Sequence, residues 1–401
     1  MMRPASIGRL LSMAVIGLVV SVSVAAAGPR TTPAHFAGQT GPGSFYEIDV
    51  PAVWNGDLVL YAHGIVEPGK PLVPPTNQDG YDTLRAALLA NGFAVAASSY
   101  ASNGWSFRDA LQRTHQLSGL FKSKVGQPTR TFLVGHSMGG LVVEKMAERY
   151  PGQYDGALAM CAPLGGAVAE IQYAGDFRNI FDFYFPGVLP GNAFYVPPGT
   201  SYLAPGEPGG PSQLFLQVYN ALVTNPQNTF MWLLAADIPF NPAGLPASAI
   251  EAGLYVVGFQ LRYTNDFVER VNGKTPYDNT ETEYYVDVAD PATNAYLSGL
   301  LNGGVQRFGG DQAAFNFYGQ NYEPSGEISF PVVTLHGVFD PGVPIFHEPL
   351  FLQKVAEAGN TEWLLQRSST SGSGHCSFTA QEMTTAFTDL VTWVSTGVKP
   401  E

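Results

Sequence analysis

Charged residues are scarce in this 401-residue sequence: they make up 13% of it, about half the usual share for a soluble domain. The 20 Lys and Arg are outnumbered by 33 Asp and Glu, giving a formal net charge of −13. A chain so poor in cations lacks the electrostatic footprint for binding nucleic acid or an anionic membrane surface. Internal repeats are lacking, and after the first 24 residues no stretch is apolar for long enough to span a bilayer. Cysteine is nearly absent. Two are present, Cys161 and Cys376, and in an exported chain an even count fits one disulfide, with two separate buried thiols as the other reading. His347-Glu348 lacks a second histidine at helical spacing, so no zinc-hydrolase motif is formed there.

Turn formers and apolar residues are abundant: 45 Gly, 31 Pro and 45% hydrophobic residues imply long ordered loops around a large core. The N-terminus reads as an export signal. Arg3 and Arg9 precede or flank the apolar "LLSMAVIGLVVSVSV", and Ala25-Ala26-Ala27 supplies small residues for cleavage. A retained anchor is the rival reading, but the serines and the turn-rich "GPRTTP" favour a mature chain starting near Gly28, with a secreted or periplasmic location and no stable membrane anchor. Without Arg3 and Arg9 the formal charge becomes −15.

From about 45 to 165, strand-like and helix-like segments alternate. "SFYEIDVP", "DLVLYAHG", "FAVAASSY", "TRTFLVGHS" and "YDGALAMCAP" read as strands, with helices over "YDTLRAALLANG", "WSFRDALQRTHQLSGLFKSKVG" and 138–150. The pattern resumes near 329 with the strands "SFPVVTLHGVFD" and "TEWLLQRSS" and helices over 345–358 and 379–396. Short apolar strands separated by helices imply parallel pairing through right-handed crossovers, hence an α/β fold. The interval 166–328 differs: it is aromatic and proline-rich, with helix-like runs such as "SQLFLQVYNALVT" and "PASAIEAGLYVVGFQL". It reads as an insertion packed over one end of the sheet, a cap or lid. The division is thus 1–27 signal, 28–165 and 329–401 the two parts of the core, and 166–328 the insertion.

"FLVGHSMGG" carries Gly-x-Ser-x-Gly around Ser137, a pattern that chance alone supplies on the order of 0.3 times in so glycine-rich a chain. A serine hydroxyl needs a base, a group that orients the base, and donors for the oxyanion. Among seven histidines, His375 in the loop "SSTSGSGHCSFT" is the best base, while His136 should point away from so sharp a turn. Asp340 ends the strand "PVVTLHGVFD" ahead of Pro341-Gly342 and can orient an imidazole. His63-Gly64 closes "DLVLYAHG", so the backbone N–H groups of Ile65 and Met138 are the oxyanion candidates.

With "HGI", "GHSMGG", "HGVFDPGVP" and "SGSGHCSF" in this order, the chain resembles the α/β-hydrolase family over roughly 45–165 and 329–397, and within it secreted bacterial esterases and lipases. The resemblance implies a mostly parallel sheet of about eight strands, a nucleophile elbow after the fifth, and hydrolysis through an acyl-enzyme with no metal or organic cofactor. "HC" at His375-Cys376 also resembles tannase- and feruloyl-esterase-like enzymes, in which a disulfide ties the serine and histidine loops. The residue before Ser137 is His136 where that pattern has cysteine, so Cys161, ending "GALAMCAP", becomes the expected partner of Cys376. The expected substrate is an ester with an apolar or aromatic acyl group. Tyr100, Trp105, Phe181 and Tyr184 are candidate pocket residues, beside Phe177, Phe183 and Phe185. A secreted aminopeptidase-like enzyme of the same fold is the alternative; it would need an acidic group for a peptide amine, with Asp278, Glu281 and Glu283 as candidates. A non-catalytic binding protein on this scaffold is disfavoured because every triad position is filled.

Overall fold

The computed structural model describes residues 32–76, 78–288 and 290–401; the signal expected at 1–27 lies outside the described residues. Among these, eight strands form one sheet: β1 (Ala34–Gly41), β2 (Ser44–Val50), β3 (Leu58–Ala62), β4 (Ala94–Ser98), β5 (Thr131–His136), β6 (Gly156–Met160), β7 (Val332–Gly337) and β8 (Leu364–Ser369). Their order is β1-β2-β4-β3-β5-β6-β7-β8. The β1-β2 and β2-β4 pairs are antiparallel and all later pairs parallel. β3, β4, β5 and β6 are buried along their whole length, as strands covered by helices on both faces must be. The edge strand β1 was not expected from the sequence. "AHFAGQTG" carries two glycines and buries no residue fully, so its strand signal is weak without the partner β2.

The covering helices are α1 (Tyr81–Ala90), α2 (Phe107–Lys124), α3 (Met138–Arg149), α10 (His347–Glu357) and α11 (Ala380–Thr396). α11 shows how locally these ends are specified. Thr379 and Glu382 form a reciprocal capping box at its start, and Gly397 closes it at a φ of 71°. Among the described residues, no helix is long and apolar enough to cross a membrane.

Between β6 and β7 the chain forms α4 (Ala167–Tyr184), α5 (Gln213–Thr224), α6 (Pro226–Ala235), α7 (Ala247–Glu269), α8 (Pro291–Gly304) and α9 (Gln312–Tyr322). Of these, only α5 and α7 stood out in the sequence. α4 escaped because it is buried on most sides, polar Glu170, Arg178 and Asn179 included, so it has no solvent stripe to set the helical period. A second apolar cluster gathers here around Trp232, whose indole N–H donates to Phe177 O at 2.8 Å and whose ring meets Phe181 and Phe185 edge-on. The two clusters are joined. Ala167 and Ile171 of α4 and Ala314, Tyr318 and Tyr322 of α9 pack into the core beneath the sheet.

Candidate active site

Four chain segments converge at the C-terminal ends of the parallel strands, where an open α/β sheet forms its crevice. Ser137 follows β5 and opens α3 with φ 55° and ψ −127°, a backbone conformation rarely held by a residue with a side chain. Glycines make so tight a turn possible. A Cβ on Gly139 would overlap Ala62 O, one on Gly135 would overlap Gly139 O, and one on Gly140 would lie 2.5 Å from Ala162 Cβ. The Ser137 amide is tied to Met160 O at 2.9 Å, so β6 holds the turn from the side.

Ser137 Oγ lies 2.9 Å from His375 Nε2, and His375 Nδ1 lies 2.9 and 3.0 Å from the two oxygens of Asp340. Asp340 is fully buried and accepts the amides of Gly342 and Val343 at 2.8 and 3.0 Å. Those bonds hold the carboxylate independently of the histidine. Burial works against charge on both partners. For His375 it is outweighed by the charge and hydrogen bonds of Asp340, and the imidazole is pushed up to about 9. For Asp340 the pull of His375 outweighs burial and holds the carboxyl below its ordinary value.

The disulfide between Cys161 and Cys376 is present, with Cα atoms 5.3 Å apart and 215 residues between them in sequence. It anchors the residue after His375 to the end of β6, the strand that also holds the Ser137 amide. The neighbouring Cys376 amide reaches Asp340 Oδ2 at 3.3 Å.

His136 points into the core, with Nδ1 2.9 Å from Tyr61 Oη, and burial pushes it down to about 3. His63 donates from Nδ1 to Gly64 O at 2.7 Å and stacks on Tyr100 at 3.8 Å. Its loop brings Ile65 to the cavity wall. Gly64 is pinned there, since a Cβ on it would come within 3.1 Å of Ser137 Cβ and 3.0 Å of Asp79 Oδ2. Met138, the first residue of α3, leaves its amide at a helix N-terminus, where backbone donors have no intrahelical partner.

A cavity of about 390 Å³ opens above Ser137 and His375. The largest share of its wall comes from one face of α7: Glu251, Leu254, Tyr255, Gly258, Phe259, Arg262 and Tyr263 recur at helical spacing. Tyr202, Ala204 and Phe215 close it from the start of the insertion, and Trp105, Pro163, Gln78 and Asp79 from the sheet side. Of the four aromatic residues expected here, Trp105 alone lines the cavity. Tyr100 is buried behind the His63 loop, donating to His63 O at 2.9 Å, so it supports that loop. Phe181 is locked in the second cluster by Phe185 and Trp232, and Tyr184 packs against the same cluster. Asp278, Glu281 and Glu283 are also elsewhere. Glu281 and Glu283 border a separate depression with Tyr285 and Arg307, and Asp278 caps the Thr280 turn. The acids that do reach the cavity are Asp79, Glu170 and Glu251. The α7 period was readable in the sequence, but nothing in it told which face meets the cavity.

His347 is buried, accepting the Gly165 amide at Nδ1 and lying 2.9 Å from Glu170 Oε2 through Nε2. His336 is likewise buried, against Glu348 and Val343 O.

Residues 78–192 match the family model described as serine aminopeptidase, S33. Among curated proteins none matches the sequence. Solved structures similar to it include feruloyl esterase B from Aspergillus oryzae, at 13% identity and a TM-score of 0.48 over 91% of this chain and 82% of that one. Candida antarctica lipase A is similar at 12% identity and a TM-score of 0.46, over 92% and 78%. The acylaminoacyl peptidase of Pyrococcus horikoshii is similar at 11% identity and a TM-score of 0.40, over 92% of this chain and 42% of that one.

Proposed function

We propose that this α/β-hydrolase is an exported serine esterase. The observation that carries the reading is the unbroken hydrogen-bonded series Ser137–His375–Asp340, opening into a cavity walled mainly by apolar and aromatic side chains. Ser137 Oγ attacks the ester carbonyl while His375 Nε2 takes its proton, and Asp340 stabilises the imidazolium. The amides of Ile65 and Met138 hold the oxyanion. His375 then protonates the departing alcohol, and water repeats the sequence on the acyl-enzyme to release the acid. The helices between β6 and β7 serve as a cap that sets acyl preference. Export is supported by the basic, apolar and small-residue order of the first 27 residues.

A serine aminopeptidase is the second reading, favoured by the acids at the cavity and by the description of the matching family. Burial weighs against it. It pushes Glu170 up to about 8 and raises Asp79, which holds both toward their neutral forms and weakens them as partners for an ammonium group. Purified mature protein assayed on 4-nitrophenyl esters of graded chain length and on aminoacyl 4-nitroanilides separates the two. The esterase reading expects turnover of the esters with negligible anilide cleavage; preferential anilide cleavage would replace it with the peptidase.

A further inference from the structure

The carboxylate of Asp340 belongs to a turn that is itself held from two sides. Residues 340–344 read Asp-Pro-Gly-Val-Pro, and Pro341 and Pro344 have no N–H, so few backbone donors are left there. Two of them, the amides of Gly342 and Val343, are spent on Asp340 Oδ1. The turn is tied outward through its carbonyls. Pro344 O takes the amide of His347, at the start of α10. Pro341 O lies 2.9 Å from Tyr173 Oη of α4, and Val343 O lies 2.7 Å from His336 Nε2 of β7. A carbonyl can only accept, so both hydrogens are placed: the phenol donates, and Nε2 carries a hydrogen whether the His336 ring is neutral or charged. Pro341 O and the Gly342 amide share one peptide plane, so the Tyr173 bond polarises the very N–H that holds Asp340.

His336 is anchored in turn. Its Nδ1 lies 3.1 Å from Glu348 Oε1, and Glu348 Oε2 accepts Thr334 Oγ1 at 2.6 Å and Gln366 Nε2 at 2.5 Å, which ties β7, β8 and α10 together. His336, Thr334 and Asp340 are fully buried and Tyr173 is 5% exposed, so no water stands ready to replace a lost partner. Neither the Tyr173 nor the His336 side chain lines the cavity. We propose that Tyr173 and His336 are positioning residues: they clamp the 340–344 turn, one from the insertion and one from the sheet, and so hold Asp340 where it orients His375.

This inference rests on the esterase reading, and the test keeps the two apart. Turnover of 4-nitrophenyl butyrate by wild type and its loss in Ser137→Ala report on the esterase. The clamp is read from kcat against KM on that ester, and from the rate at which a fluorophosphonate labels Ser137, which a peptidase would also show. Tyr173→Phe removes one hydroxyl and keeps the ring. It should lower kcat and the labelling rate by about fivefold, the worth of one hydrogen bond, with KM within about twofold of wild type. His336→Asn turns its amide toward Glu348, short of Val343 O, and should lower both rates by about 10- to 100-fold. His336→Gln reaches further, still donates to Val343 O, and should stay within about threefold of wild type. The hydrogen between His375 and Asp340 gives a low-field proton NMR signal, which should persist in His336→Gln and shift or vanish in His336→Asn. Tyr173→Phe carries the test should His336→Asn fail to fold. A lowered Tm with wild-type kcat in Tyr173→Phe or in folded His336→Asn overturns the proposal, leaving these residues a purely structural role. So does a kcat that falls as far in His336→Gln as in His336→Asn.

Discussion

Ser137 shows what a single backbone angle demands of its neighbours. Its φ of 55° lifts the hydroxyl toward His375, and the turn closes only because Gly135, Gly139 and Gly140 have no side chain. Gly139→Ala should therefore lower stability by about 2–4 kcal/mol in denaturant unfolding and abolish ester turnover, since the new methyl meets the Ala62 carbonyl. A fully active, equally stable variant would mean that the turn is looser than described. The charge state of His375 makes a second prediction. The base must be neutral to accept the Ser137 proton, and the Asp340 carboxylate stabilises its protonated form against the opposing effect of burial. In the free enzyme, kcat/KM should thus rise with pH, with its midpoint displaced above the ordinary imidazole value of 6.5 toward about 9. A midpoint at or below 6.5 would contradict that assignment. Asp340→Asn should lower kcat by about 10⁴-fold, because an amide cannot stabilise the imidazolium.

Elements carry these residues to one place, and the disulfide is the link between two of them. Cys161 at the end of β6 and Cys376 beside His375 join the strand that buttresses the nucleophile to the loop that carries the base. Replacing both cysteines with alanine should lower stability by about 2–5 kcal/mol, seen as a fall in Tm. At a temperature where that variant remains folded, kcat should drop by about tenfold or more as the histidine loop loses its tether. Unchanged kcat would make the bridge a purely global staple. Within the insertion, Arg178 is 1% exposed and binds Asp182, Gln260 and the carbonyls of Pro190 and Asn192. Arg178→Ala removes the shared donor of Asp182, Gln260 Oε1 and the Pro190 carbonyl and should cost about 2–3 kcal/mol in thermal or denaturant melts. Legibility in the sequence differs by element. Parallel strands such as "TFLVGH" are short apolar runs between turn residues, and the order of Ser137, Asp340 and His375 follows from strand ends alone. α4 is hidden because burial on most sides erases its period. The substrate wall was misassigned to Phe181 and Tyr184 because aromatic composition does not tell a core residue from a cavity residue. Only the packing of Trp232 against Phe181 and Phe185 decides that.

At the scale of the whole molecule, one sheet supplies the chemistry and the intervening helices supply the enclosure. The Ser137–His375–Asp340 series stands at the ends of β5 and β7 and on the loop after β8, while half of the residues lining the cavity stand on α7 and the chain before and within α5. On the proposed esterase reading, chemistry and specificity sit on different parts of one chain, and strand-end residues point to the reaction class without pointing to the substrate. The most direct measurement is covalent trapping. The mature protein is treated with a fluorophosphonate, then assayed on 4-nitrophenyl butyrate and mapped by peptide mass spectrometry. The account predicts one adduct per chain, on Ser137, with ester hydrolysis lost in proportion to labelling and no adduct at that position in His375→Ala. An adduct at another residue, or undiminished hydrolysis by protein fully labelled on Ser137, would contradict it.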